Sequence, residues 1–105
     1  MTLNNLGTLL RLFPGKPFYL TEYGYNTRPS IFFAWFAVSE RTQARYLKRA
    51  YAYAGRYSRV KVLVWFLVRD WRPAGSPADR GIYTGLSRVN GERKPSWYAF
   101  ANLGR

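Results

Sequence analysis

Residues 60–68 read VKVLVWFLV, a run broken only by Lys61. Nearly every position is apolar, and most are β-branched or aromatic, so a strand built from this run asks to be buried on both faces. An antiparallel strand with one wet face would alternate, and this one does not. Strands of this kind belong in parallel sheets whose crossover helices supply the cover. The neighbouring segments fit that plan. Residues 3–13 (LNNLGTLLRLF) place apolar side chains at 3, 6, 9, 10 and 13, a helical spacing that Pro14-Gly15 ends. Residues 16–25 (KPFYLTEYGY) are short and rich in strand formers, and Asn26-Thr27-Arg28-Pro29 closes them in a loop.

The next helix is the clearest element. Ser39 is the predicted N-cap, and Glu40 stands in the first turn, where the helix dipole favours an acid. At 100° per residue, Gln43, Ala44, Leu47, Ala50, Tyr51 and Ala54 share one face, while Arg41, Arg45, Lys48, Arg49 and Arg56 share the opposite one. Gly55 marks its end. After the 60–68 strand, Pro73, Gly75, Pro77, Gly81 and Gly85 predict a loop over 72–85, and Asn90-Gly91 a tight turn. Pro95 opens a last helix that Gly104 ends. Helices alternating with strands mean an α/β fold with parallel strands and right-handed crossovers. No repeat or boundary divides the chain, so residues 1–105 are expected to form one unit. Two parallel strands cannot cover themselves, so the pattern reads as part of a larger sheet.

With 105 residues there is room for one small domain, and 48% hydrophobic residues demand a core. There is no Cys and no His. Disulfides, Cys or His metal sites, Cys nucleophiles and a Ser-His-Asp triad are therefore excluded within this chain, and the redox compartment stays open. Five acids remain for chemistry: Glu22, Glu40, Asp70, Asp79 and Glu92. Residues 1–13 hold one basic residue and no continuous apolar stretch, which predicts no secretory signal. The apolar runs at 31–38 and 60–68 fall well short of the ~20 residues of a membrane helix, so no membrane partner is expected. Localisation is left open.

In parallel α/β folds, ligands bind at the carboxyl ends of the strands. There the sequence places Thr21-Glu22-Tyr23-Gly24-Tyr25 after the first strand, and Trp65-Phe66 with Arg69-Asp70-Trp71 after the second. Each residue also has a plainer reading. Glu22 is then an edge acid paired with one of 17 basic residues, Trp65 a core side chain, and Asp70 a partner of Arg69 or Arg72. Glu40 reads as a helix-end charge, and Asp79 and Glu92 as turn residues.

At these positions, together with 38–47 (VSERTQARYL) and the tail at 85–100 (GLSRVNGERKPSWYAF), the chain resembles the C-terminal end of a clan A glycoside hydrolase akin to families 5 and 39. The resemblance covers nearly the whole chain from about Leu3. It implies part of a (β/α)8 barrel: the end of helix six, strand seven, helix seven, strand eight and helix eight. It further implies that Glu22 is the nucleophile of a retaining O-glycosidase and Trp65 the floor beneath the reacting sugar. Tyr25, Asp70 and, more weakly, Trp71 are expected on the substrate side. The clan's acid/base glutamate ends strand four, which this chain lacks, so the isolated chain is expected to be inactive. A barrel takes ~250 residues, and these are about two fifths of one.

The substrate implied is a carbohydrate, and the two-carboxylate mechanism calls for no metal or cofactor. The expected partner is the missing N-terminal part of the barrel, or further copies of the chain. The apolar stretch at 31–38 departs from the short polar loop of the family; it is a wall of the cleft, an interface or an irregularity. Two other readings stand beside the enzyme. The net charge of +12 and the Arg-rich helix face suit a small binder of an anionic polymer, although nucleic acid is not the expected partner, since no nucleic-acid motif is present and such a face is also the solvated back of a barrel helix. An inactive, oligomerising remnant is the third.

Overall fold

The computed structural model describes residues 3–33, 36–75 and 78–104. A 3-10 turn, Leu3–Asn5, leads into α1 (Leu6–Leu12), followed by β1 (Phe18–Tyr23), α2 (Glu40–Ala54), β2 (Val60–Trp65) and α3 (Pro95–Ala101). The two strands pair in parallel, with Tyr19 opposite Val62, Leu20 opposite Leu63 and Tyr23 opposite Trp65. The chain is thus a small α/β unit with the expected crossover helix between parallel strands.

α2 forms for the reasons its sequence supplies. The Ser39 hydroxyl accepts from Thr42 N–H at 3.1 Å, a cap worth about 1 kcal/mol. Gln43, Ala44, Leu47, Ala50 and Ala54 are buried in one stripe. Arg41, Arg45, Lys48, Arg49 and Arg56 are all exposed on the other side. The stripe meets Tyr23 and Trp65 from the strands, Leu86 from the following loop and Ala99 from α3, which together form the core. Tyr51 reaches over the sheet and donates to the Leu63 carbonyl at 2.8 Å.

All the predicted elements but α2 are shorter than the sequence predicts, β1 covering Phe18–Tyr23 of the expected 16–25 and α3 ending at Ala101. Of the apolar face at 3, 6, 9, 10 and 13, only Leu6 and Leu10 are buried, while Leu9 and Phe13 are exposed. β2 ends at Trp65 rather than at 68. Phe66 N–H still donates to the Tyr23 carbonyl at 2.9 Å, but the carbonyls of Leu67 and Val68 accept from Leu86 instead of from β1. The Phe66–Leu67 peptide is cis. From there residues 69–75 and 78–94, the 69–94 arm so far as it is described, fold back irregularly, bridged Arg69 to Ser87 in parallel, Trp71 to Ile82 and Ser87 to Arg93 antiparallel.

Helices cover one side of the sheet only. On the other, Tyr19, Val62 and Val64 are exposed. The molecule is a slab of 48 × 30 × 18 Å with a radius of gyration of 15.0 Å, against about 13 Å for a compact domain of this length.

Candidate active site at the carboxyl ends of the strands

Between Leu20 and Tyr23 the register of β1 slips against β2. The irregularity breaks the in-out alternation, so Thr21 and Glu22 are both exposed and Tyr23 turns into the core. Bulges of this kind re-aim side chains and are frequent beside active sites. Just beyond, a Cβ on Gly24 would lie 2.5 Å from the Phe66 carbonyl oxygen. Only glycine lets the two strand ends close here.

A buried polar cluster holds the loops behind this point. Lys94, wholly buried, sends its ammonium to Asp70 Oδ1 at 2.8 Å, Thr27 Oγ1 at 2.9 Å and the Tyr83 carbonyl at 3.2 Å. Three donors thus meet three acceptors. Asp70 Oδ1 also accepts from Gly85 N–H at 2.7 Å. A Cβ at Gly85 would collide with the Asp70 backbone. Burial pushes the Asp70 carboxyl up and the Lys94 ammonium down, while the bond between them opposes both shifts.

Around this pair, Asn26 Oδ1 accepts from Tyr83 N–H, and Gln43 Nε2 donates to the Tyr25 carbonyl, both at 2.9 Å. The loop after β1, the start of α2 and the 69–94 arm are thereby tied into one piece.

The residues singled out by sequence do not converge. Glu22 is exposed on β1. Tyr25 is half-buried; its hydroxyl meets that of Tyr23 at 3.1 Å and its ring meets Tyr46 at 4.9 Å. Burial, then this hydrogen bond, pushes the Tyr23 phenol up. Trp65 is 7% exposed and belongs to the core, its indole N–H donating to the Thr84 carbonyl at 2.8 Å. Asp70 is 7% exposed, and its ionic partner is Lys94 rather than Arg69 or Arg72. Trp65 and Asp70 therefore present no open face to a ligand in this structure: the Thr84 stretch of the arm lies against Trp65, and Asp70, itself in the arm, is turned in onto Lys94 and Gly85. Trp71, bridged to Ile82 through its backbone, is exposed. In the 31–38 stretch, Ile31, Phe32 and Phe36 are exposed, while Ala34 and Trp35 lie outside the described residues, as does Pro77 of the 72–85 loop.

The acids divide cleanly. Arg88 forks onto Glu40 at 2.8 and 2.9 Å and also reaches Glu92. Asp79 accepts from the Tyr83 hydroxyl at 2.6 Å and from Gly81 N–H, with Arg28 at 3.4 Å. Asp70 holds Lys94. Among the described residues, Glu22 is the acid that has neither hydrogen bond nor ion pair, so its reading as a paired edge acid does not hold. What sequence reasoning missed is Lys94. It stood in the tail motif without a role, and its only signal was that a lysine was present there before Pro95.

No protein-family model matches the chain, and no curated protein sequence does. Solved structures do match. A β-glucuronidase from Ruminococcus gnavus in complex with uronic deoxynojirimycin superposes with a TM-score of 0.68 at 19% identity, over 90% of this chain and 17% of that one. A Faecalibacterium prausnitzii β-glucuronidase gives 0.68 at 21% identity, over 90% of this chain and 16% of that one. At such identities the likeness is one of fold. The chain spans about one sixth of the length of these structures, and its fold matches part of theirs.

Proposed function

We propose that this chain carries the nucleophile of a retaining O-glycoside hydrolase of clan A, akin to families 5 and 39, at Glu22. In this reading α1 is the end of helix six, β1 and β2 are strands seven and eight, and α2 and α3 are helices seven and eight. The observation that carries it is the state of Glu22: a carboxylate free of any partner among the described residues, exposed at a bulge at the carboxyl end of a parallel strand, in a chain of 17 basic residues. An acid kept unpaired against such a surplus of cations is available to react.

The carboxylate would attack the anomeric carbon and displace the aglycone, forming a glycosyl ester that water then hydrolyses. A second carboxyl, ~5–5.5 Å away, must protonate the leaving oxygen and then activate that water. Glu40, Asp70, Asp79 and Glu92 are all engaged elsewhere, so the acid/base belongs to the remaining strands of a barrel, the partner this reading requires. Tyr25 and Trp71 are the aromatic candidates for the sugar face. Trp65 from beneath and Asp70 from within fix the arm through Thr84, Gly85 and Lys94. The charge of +12 favours an anionic sugar, and uronides are the first class to try, β-glucuronidases being the structures of similar fold.

The test begins with the coding sequence on either side of residue 1. A barrel predicts roughly 150 further residues, including a strand ending in Asn-Glu. In the resulting full polypeptide, Glu22→Ala should lower the hydrolysis of aryl glycosides by about 10³-fold or more, and azide should restore turnover with inverted stereochemistry. Absence of any such strand, or hydrolysis untouched by Glu22→Ala, overturns the reading.

A further inference from the structure

On the solvent side of the helical layer, α2 and α3 border a shallow groove of about 300 Å³. Its floor is small and apolar: Ala44 and Ala99, both buried in the core, with Pro95 at one end. Arg41, Arg45 and Lys48 of α2 form one wall, and Tyr98 of α3 with its cap residue Asn102 the other. The three cations fall at i, i+4 and i+7, all within Glu40–Ala54, so they make one row about 10 Å long with about one helical turn between neighbours. All three are exposed, and none forms a salt bridge among the described residues. No acid lines the groove, and Glu40 beside it in sequence is held by Arg88. Like charges one turn apart weaken a helix, so the row lacks a counter-charge that the chain itself does not supply. Tyr98, 54% exposed, stands across from it. Both walls belong to this chain, so the groove is complete without the missing strands of a barrel.

We infer that this groove binds an extended acidic polysaccharide, with its uronate carboxylates along the cation row and one sugar ring against Tyr98. The cations do not converge on a point. A lone carboxylate reaches one or two of them, whereas the whole row is matched by a ligand whose charges repeat along its length. Arginine takes a carboxylate through two parallel bonds, and lysine takes it as a point charge. The floor and the facing wall narrow the polymer further. An acidic helix laid in a groove needs large apolar side chains to meet its own, and Ala44, Ala99 and Pro95 offer little. A single-stranded nucleic acid stacks successive bases on several aromatic rings, and this groove presents one. One ring suffices for a sugar, whose C–H face lies flat on an aromatic while its hydroxyls stay in water. The choice of a saccharide among linear polyanions rests on the glycosidase reading; the row and its need of an anion do not.

Calorimetric titration of the full chain with oligogalacturonates of increasing length tests this. Affinity should rise with length until the oligomer spans the row, and fall as salt rises. The Arg41→Gln, Arg45→Gln, Lys48→Gln triple variant, changed only at exposed positions, should bind about tenfold more weakly or worse, and Tyr98→Ala about threefold more weakly. Circular dichroism checks that both keep their helices. Phenylglyoxal labelling of the unaltered chain reads the site without any variant: the oligomer should protect Arg41 and Arg45 and leave Arg11 of α1 open. Binding indifferent to the triple change, or labelling equal with and without oligomer, overturns the proposal. A galacturonate monomer bound as tightly as the longest oligomer overturns it in favour of a simple anion site. Oligothymidylate bound as tightly, with Tyr98→Ala without effect, overturns it in favour of plain polyanion attraction. Glu22→Ala should bind like the parent; a loss there would put the oligomer at Glu22 and overturn the groove. If hydrolysis by the full polypeptide survives Glu22→Ala while this binding persists, the nucleophile reading falls and the groove stands.

Discussion

Lys94 shows how much one side chain can decide. A lysine in a small basic protein is ordinarily a solvated surface charge, yet this one is sealed from water among Asp70, Thr27 and the Tyr83 carbonyl. Charges so placed add little net stability when paired, and cost heavily when one partner is removed. Lys94→Met should leave the Asp70 carboxylate buried without its cation and destabilise the fold by about 3–5 kcal/mol, which in a small domain is much of the total. The companion Asp70→Leu in the same chain should recover most of that loss. Urea unfolding followed by circular dichroism compares the two. Equal damage from single and double changes would show that volume, not charge, governs the site. Nothing in the spacing of residue 94 announced its burial, because the acceptors come from positions 27, 70 and 83, far apart in sequence.

Elements were more legible than contacts. The periodicity of α2, its cap and its end are local properties, and each appears where the residues dictate: Ser39 caps, and the predicted face is buried from Gln43 to Ala54 except for Tyr51, which is half-buried. β2 was overrun by three residues because the apolar run continues past Trp65, while the backbone beyond it bonds to the 69–94 arm, a long-range choice. The start of α2 is pinned to that arm by Glu40 and Arg88, whose fork holds the Glu40 carboxyl below its usual range. Asp79 is likewise lowered, first by the Tyr83 hydroxyl and then by Gly81 N–H. Acids with depressed folded-state pKa values stabilise the fold above the ordinary carboxylate range, and the contribution is lost as pH falls through the folded value. The urea midpoint should therefore drop on acidification below about pH 5. Asp70, raised by burial, works in the opposite sense, so the comparison is with Glu40→Gln. That variant should start from a lower midpoint at pH 7 and lose less on acidification. An unchanged slope would mean that the fork contributes nothing.

At the scale of the whole molecule, the slab is the feature to explain. One layer of helices covers one face of two strands, and the opposite face exposes Tyr19, Val62 and Val64. The strands pair only with each other among the described residues. Uncovered parallel strands and open edges are poor ends for a stable monomer. Analytical ultracentrifugation of the isolated chain should show mass rising with concentration, and its thermal transition should be broad. A sharp cooperative melt from a proven monomer would show that the helical layer alone suffices.

Helix, strand and parallel order were carried by the sequence itself, because periodicity, caps and breakers act within a few residues. The same holds for the exclusion of thiol and imidazole chemistry, while the choice of Glu22 as the acid to watch rested on its place at a strand end together with the family resemblance. The tertiary structure alone decided which acids are engaged, that Trp65 lies beneath an arm that Asp70 and Lys94 anchor, and that Tyr19, Val62 and Val64 stay exposed on one sheet face. Those outcomes depend on segments 15 to 67 residues apart meeting in space, and no local pattern encodes such a meeting.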